Sequence, residues 1–338
     1  MNLFKEIFWK IADELKILDN HKVLHKQLGV FHERYGYDEH VQISKTSCPP
    51  ADLWRLIYLH YHAADVDGVQ YLQKQQRTPR FIGALEDLEY VAQLEEANSG
   101  TGYFDPGWQV IYAQGSYYIV RRGDLTLKVE QCELHQQNTA TSDSVSVRFP
   151  NSFRYAYPGC YLAISNQGLC RAGEKRLVRL YFNLESSLGA VTFMSAITSL
   201  LNDRAVRFQI KVMNHPKRLR RRDNFILYVP DEVWRTYRSE VAEVQARHQD
   251  LLREDVPGFT LPLGRGWSFA EEPIGITGML SFGQHRAQLA ADGIYSAYIH
   301  GAQTVEERLS WIAWQYRKVG LDITHPYLNP KNDILNLP

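Results

Sequence analysis

The decisive stretch runs from Leu177 to Pro230. It reads LVRLYFNL (177–184), an intervening amphipathic segment, VRFQIKVMN (206–214), the basic loop HPKRLRRRD (215–223) and NFILYVP (224–230). Three short runs rich in β-branched and aromatic residues predict strands, and the segment between the first two predicts a helix. Side chains alternate across a strand. Arg179, Tyr181 and Asn183 therefore share one face, with Leu180, Phe182 and Leu184 on the other. In the second strand Phe208, Ile210 and Val212 oppose Arg207, Gln209, Lys211 and Met213. Asn224, Ile226 and Tyr228 fall together on the third. If the strands are neighbours, Arg179, Tyr181, Lys211 and Tyr228 project from one surface. Alternation alone does not fix the strand order.

Lys211 interrupts an otherwise apolar strand, and five cations follow between Lys217 and Arg222. The combination points to an anionic ligand held against a lysine. Desolvation and neighbouring cations favour a neutral amine, which can act as a base. Such a base can take the proton from the α-carbon of a peptide residue. Nearby arginines can bind a phosphate on the β-carbon through two parallel bonds and stabilise it as it leaves. That chemistry needs a base, a phosphate cradle and a proton donor. The chain offers Lys211 as base and Arg218, Arg220, Arg221 and Arg222, with Arg286, as cradle. Tyr181, Tyr228, His215 and His285 are the choices of donor. A lysine on the outer face of an edge strand and a solvated basic loop would explain the same residues without chemistry.

The 338 residues suit two domains or one large one. Apolar residues make up 44%, enough for a core and too many for disorder. Thirty-eight Lys and Arg balance 38 Asp and Glu, which argues against a general nucleic-acid binder. Cys48, Cys132, Cys160 and Cys170 form no CxxC pair and no zinc spacing with histidine, so buried or free thiols in a reducing compartment are expected. The N-terminus is amphipathic with acids inside the apolar pattern, unlike a signal peptide, and no run approaches a membrane span of roughly 20 apolar residues. A soluble, cytoplasmic protein is expected, with no metal and no cofactor.

The N-terminal 100 residues read as helical: Leu3 to Leu15, a second helix from about Asp52, and a third from about Gly83 to Ala97. His60 and His62 lie two apart on the second helix and point in different directions, a poor metal pair. WQVIYA, YYIVRR and LTLKVEQ, separated by AQGS and RRGD, predict an antiparallel meander over 101–140. The polar segment Gln136 to Ser146 reads as a loop and the clearest boundary. Phe149 to Cys170 is a tyrosine-rich, turn-forming stretch that either packs as a lid or lines a peptide groove. Asp231 to Arg253 predicts a long polar helix, and Pro257 to Pro273 a loop. Ser281 suits a helix N-cap, which places Gly283, His285 and Arg286 in a first turn that favours an anion. A last helix runs from Val305 to Val319, and the tail from Pro326 lies strapped to the surface or partly loose. The fold class expected is α+β: a helical region over 1–100, then an α+β domain over 101–338 with its core at 149–338. Its sheet is mixed and largely antiparallel, packed with helices.

RLYFNL, the Lys211 strand, RRRDNFILYV and SFGQHRAQLAADGI, in this order, resemble the HopA family of type III effector proteins over roughly Phe149 to Pro338. Relatives of that family occur beside kinase-like proteins in bacterial clusters that make class V lanthipeptides and thioamitides. There they are implicated as lyases that eliminate phosphate from phosphoserine or phosphothreonine and leave a dehydrated residue. The family is also distantly similar to the type III secreted phosphothreonine lyases. Those use a lysine base, a histidine acid and an arginine-lined phosphate pocket, without metal. The resemblance makes Lys211 the base and Tyr228 the active-site tyrosine. Phosphate ligands are expected among Arg179, Arg218, Arg220, Arg221, Arg222 and Arg286, with His285 beside them. Where the lyases carry a lysine-x-histidine pair, this chain has Arg179 and Tyr181; where they carry a second lysine, it has Pro230. The implied substrate is a phosphorylated, ribosomally made precursor peptide, and the implied partner a kinase-like protein, with neither nucleic acid nor membrane involved. The other reading is a non-catalytic module that binds a phosphopeptide or a protein.

Overall fold

The computed structural model describes residues 3–18, 22–31, 49–74, 86–136, 140–170, 176–274 and 280–330. Helix α1 (Leu3–Glu14) leads into three short strands, β1 (Leu15–Ile17), β2 (Val23–His25) and β3 (Gly29–Phe31), which pair in that order. The sequence reading missed this small sheet, because three-residue strands are too short to show an alternation. Helix α2 (Ala51–Ile57) continues as a π-helical turn, Tyr58–His62, and α3 (Val66–Gln73) and α4 (Leu88–Ala97) follow. Asp87 caps α4, accepting the Tyr90 N–H at 3.0 Å. The expected start of this helix at Gly83 lies outside the described residues.

The meander forms as expected: β4 (Tyr103–Gln114), β5 (Tyr117–Arg122) and β6 (Leu125–Glu130) pair through turns at Gly115 and Gly123, both with positive φ. A fourth strand, β7 (Ser144–Phe149), pairs with β4 and begins inside the segment expected to be a loop. Val145 and Val147 are enough to build it, since they point into a core around Trp108.

The main sheet is separate and has seven strands. They are β8 (Ser152–Phe153), β9 (Cys160–Ile164), β10 (Leu177–Phe182), β11 (Gln209–Met213), β12 (Phe225–Pro230), β13 (Leu261–Gly264) and β14 (Trp267–Glu271). Their order is β13-β14-β10-β12-β11-β9-β8, with every neighbouring pair antiparallel. The strands β13 and β14 correct the reading of Pro257 to Pro273 as a loop. Strand β14 is enclosed between β13 and β10 and buried on both faces, so it lacks polar alternation. The glycines around it mark a tight hairpin. Gly266 has φ +58°, and a Cβ there would stand 2.3 Å from the Arg253 carbonyl oxygen.

One face of this sheet packs on α5 (Ser187–Asp203) and α6 (Asp231–Arg247). Phe193 of α5 meets Phe182 at 4.7 Å and Phe225 at 5.4 Å, and Trp234 of α6 meets Trp267 edge-on. The other face carries α7 (Phe282–Ile299), which packs on α2 and on α8 (Val305–Lys318). Helix α1 lies on α8, with Phe8 edge-on to Tyr316 at 5.1 Å. The N-terminal helices thus belong to the same apolar core as the sheet and the C-terminal helices. Ser281 is the α7 N-cap as expected, in a capping box with Gln284.

Candidate active site

Strand register settles what alternation left open. Strand β12 lies between β10 and β11. Arg179 stands opposite Tyr228, which stands opposite Gln209; Tyr181 stands opposite Ile226, which stands opposite Lys211. Directly opposed residues share a face. Arg179, Tyr181, Tyr228 and Lys211 therefore do project from one surface, in two adjacent rows.

Burial along those rows is uneven. Tyr181 is 1% exposed, with the His62 and Phe282 rings against it at 6.1 and 6.4 Å. Tyr228 is buried, and the Arg179 guanidinium lies over its ring at 5.0 Å. Lys211 is half-buried, its Nζ 4.9 Å from the centre of the Tyr157 ring. Tyr157 itself is 47% exposed. The face is closed at Tyr181 and open at Lys211. Burial pushes both phenols above the ordinary tyrosine range against the opposing pull of Arg179, so both keep their protons at neutral pH.

The arginines divide sharply by partner. Arg179 grips Glu272 through Nε and Nη2, the latter at 2.7 Å from Oε1. Burial opposes its charge, but Tyr228, Tyr181 and Glu272 outweigh burial and hold the guanidinium well above its usual range. Arg221 is spent entirely inside the protein. It donates to both oxygens of Asp223 at 2.8 and 2.9 Å, to Asp65 at 2.8 Å and to the Tyr58 hydroxyl at 2.7 Å. Arg222 pairs with Asp255 at 2.5 Å. Arg286 is completely buried and ties down the C-terminal segment, donating to the Pro326 carbonyl at 2.6 Å and the Leu328 carbonyl at 2.9 Å. Its Nη1 donates to His285 Nδ1 at 2.6 Å. Burial lowers Arg286 to about 10, and burial with the Arg286 charge lowers His285 to about 4. His215 caps the Pro216–Arg220 turn by accepting the Lys217 N–H.

Arg179, Arg221, Arg222, Arg286 and His285 are thus engaged with protein groups, which the sequence could not show. Arg218 differs. It is half-buried and donates Nη1 to the Gly159 carbonyl at 3.0 Å, with no carboxylate in ion-pair contact among the described residues. Burial and the nearby Arg221 lower its pKa. Lys211 and Arg218 therefore both reach the segment Tyr157–Gly159, one through a ring and one through a carbonyl.

Sequence reasoning missed Glu272, Asp223 and Tyr58, the groups that neutralise or hold the arginines. It also missed His62, whose Nδ1 is bonded to the Gly258 carbonyl. A carbonyl only accepts, so the His62 proton sits on Nδ1; burial lowers this ring to about 4 and keeps it neutral. Gly283 makes room for it: a Cβ there would fall 2.4 Å from His62 Nε2. A different trio, Glu14, His25 and His60, brings ligand-type atoms within 4.8 Å of one another. His25 Nδ1, however, accepts the N–H groups of Gln27 and Leu28. Its proton is therefore on Nε2, facing the Tyr61 hydroxyl, which donates to Glu14 at 2.7 Å. Both ring nitrogens of His25 are thus engaged with protein groups.

An antiparallel sheet with helices on both faces, and a polar face whose open end carries a lysine beside a loop arginine that meets no carboxylate among the described residues, defines an α+β protein with a candidate anion site. The chain belongs to the HopA1 effector protein family, whose model matches residues 154–328, just over half of it. The matched span includes Tyr157, Lys211, Arg218 and Tyr228. The solved effector protein from Pseudomonas syringae pv. tomato strain DC3000 is 19% identical, with a TM-score of 0.39. That from Pseudomonas syringae pv. syringae strain 61 is 20% identical, with a TM-score of 0.36. In each case 51% of this chain and 63% of the effector are covered, so the chain spans less than two thirds of their length. No curated protein matches. No helix among the described residues is long and apolar enough to cross a membrane.

Proposed function

We propose that the protein is a metal-independent lyase. Its substrate is phosphoserine or phosphothreonine in a ribosomally made precursor peptide, and its product dehydroalanine or dehydrobutyrine. The observation that carries this reading is the common face of Lys211 and Tyr228, beside a loop that Arg218 also reaches. Arg218 holds the phosphate, since no carboxylate pairs with it among the described residues. Lys211 takes the α-proton, the C–H electrons become the Cα=Cβ double bond, and the Cβ–O bond breaks. Tyr228 gives the departing phosphate its proton, and the Lys211 ammonium returns that proton to the phenolate through solvent. Arg179, neutralised by Glu272, holds the Tyr228 ring rather than the phosphate. A kinase-like protein supplies the phosphorylated peptide.

A second reading has an observation of its own. With Arg179, Arg221 and Arg222 already paired to carboxylates, the face has less free charge than a strong phosphate cradle. A module that binds a phosphopeptide without turning it over needs no more than Lys211 and Arg218. Mass spectrometry of a phosphorylated peptide incubated with the protein, with and without a co-expressed kinase-like protein, separates the two. The lyase reading expects loss of one phosphoric acid per modified residue. Tight binding with no mass change in either arm refutes it and leaves the binding module.

A further inference from the structure

The segment that joins β8 to β9 ends in a tight turn, Tyr157-Pro158-Gly159-Cys160. The Cys160 N–H donates to the Tyr157 carbonyl at 3.1 Å, and Gly159 has φ +78°. Proline second and a positive-φ glycine third suit a type II turn, so the local sequence sets this shape. The turn is fastened to the strand that carries Lys211. The Gly159 carbonyl accepts the Asn214 N–H at 3.2 Å and Arg218 Nη1 at 3.0 Å, and Cys160 stands opposite Met213. Tyr157 opens the turn, and the centre of its ring lies 4.9 Å from Lys211 Nζ. A lysine stem is long and flexible, and a base works only where its nitrogen is held within reach of the proton. No carboxylate pairs with Lys211 among the described residues, so the ring is the contact that holds its end.

We infer that Tyr157 is a positioning residue, whose ring face holds the Lys211 nitrogen in place for proton abstraction. The inference rests on the proposal that Lys211 is the base of a phosphate elimination. The same turn holds Arg218 through the Gly159 carbonyl, so it sets the spacing between base and phosphate ligand. Lys211 gains a positive charge as it takes the α-proton, and a ring face attracts such a charge. The contact is therefore stronger once the proton has moved than before, which speeds the step rather than tightening the binding of substrate. The ring does this work, and the hydroxyl is not needed for it.

The test compares the full chain as wild type, Tyr157→Phe and Tyr157→Leu, with a phosphoserine peptide as substrate and phosphate release as the readout. Tyr157 is 47% exposed, so both variants should unfold at the wild-type temperature. Tyr157→Leu is expected to lower kcat about tenfold with little change in KM, and Tyr157→Phe to keep wild-type kcat. The contact is read separately, without turnover. Lysines are labelled by reductive ¹³C-methylation, and the Lys211 signal is assigned by its loss in Lys211→Arg. The ring should shift that signal upfield in wild type and Tyr157→Phe, and the shift should vanish in Tyr157→Leu. Equal kcat in wild type and Tyr157→Leu, or an unshifted Lys211 signal in wild type, overturns the inference. A Tyr157→Phe variant as slow as Tyr157→Leu overturns it in favour of the hydroxyl. A lower KM in Tyr157→Leu with undiminished kcat overturns it in favour of a ring that obstructs the site. Failure of the underlying reading has a different signature: none of the three proteins releases phosphate although the upfield shift is present, and the inference then falls with that reading.

Discussion

At the scale of single residues, the decisive contrast is between arginines that look alike in sequence. Arg218 and Arg221 lie three apart in one basic run, yet Arg221 is enclosed by Asp65, Asp223 and Tyr58, whereas Arg218 bonds a carbonyl and meets no carboxylate among the described residues. A guanidinium already saturated by carboxylates has few donors left for a phosphate. The neutral His62 adds a pH dependence. Its folded value of about 4 lies below the ordinary 6.5, so the unfolded chain takes up the proton first. The stability it contributes is complete above pH 6.5 and is lost as pH falls toward 4. Between pH 6.5 and 5 the loss is on the order of 2 kcal/mol. Urea unfolding at those two pH values should show it, and His62→Gln should shrink the difference; an undiminished difference would place the proton uptake elsewhere.

At the scale of elements, the chain's alternation already assigned Arg179, Tyr181, Lys211 and Tyr228 to polar faces. Those assignments needed only local geometry. The order β10-β12-β11 is a long-range fact with no local signal, and so is the pairing of Arg179 with Glu272. Strand β14 was hidden because it is buried on both sides and flanked by glycine and proline. The Ser281 cap was readable from its neighbours, but the fate of Arg286, five residues further on, was not. It depends on carbonyls 40 and 42 residues away. Removing that side chain strands two buried carbonyls, at about 1–3 kcal/mol each. Arg286→Ala should therefore destabilise the protein by about 2–4 kcal/mol in urea and speed amide exchange around Tyr327 and Leu328. Unchanged stability together with lost phosphopeptide binding would restore Arg286 as a phosphate ligand.

At the scale of the whole molecule, the N-terminal helices are structural parts of the fold. Phe8, Ile11, Leu53, Leu56 and Ile57 are fully buried in the core that also holds the sheet. His62 and Tyr58, from the turn after α2, reach Tyr181 and Asp223 beneath the candidate site. A chain beginning at Thr101 exposes the inner surfaces of α7 and α8. It should show no cooperative unfolding transition and should bind hydrophobic dye; a sharp transition equal to that of the full chain would show that the sheet stands alone. The meander, by contrast, keeps a separate small core around Trp108 and lies outside the span of the family match.

The claim on which the function depends is that Lys211 takes the α-proton. The direct measurement is the rate of phosphate release from a phosphoserine peptide by wild type and Lys211→Ala, at matched protein concentration and with matched circular dichroism spectra. A positioned general base contributes about 10²–10⁴-fold. A loss of that size, with the dehydrated product absent from the variant, is the predicted result. Equal rates from the two proteins would contradict the account.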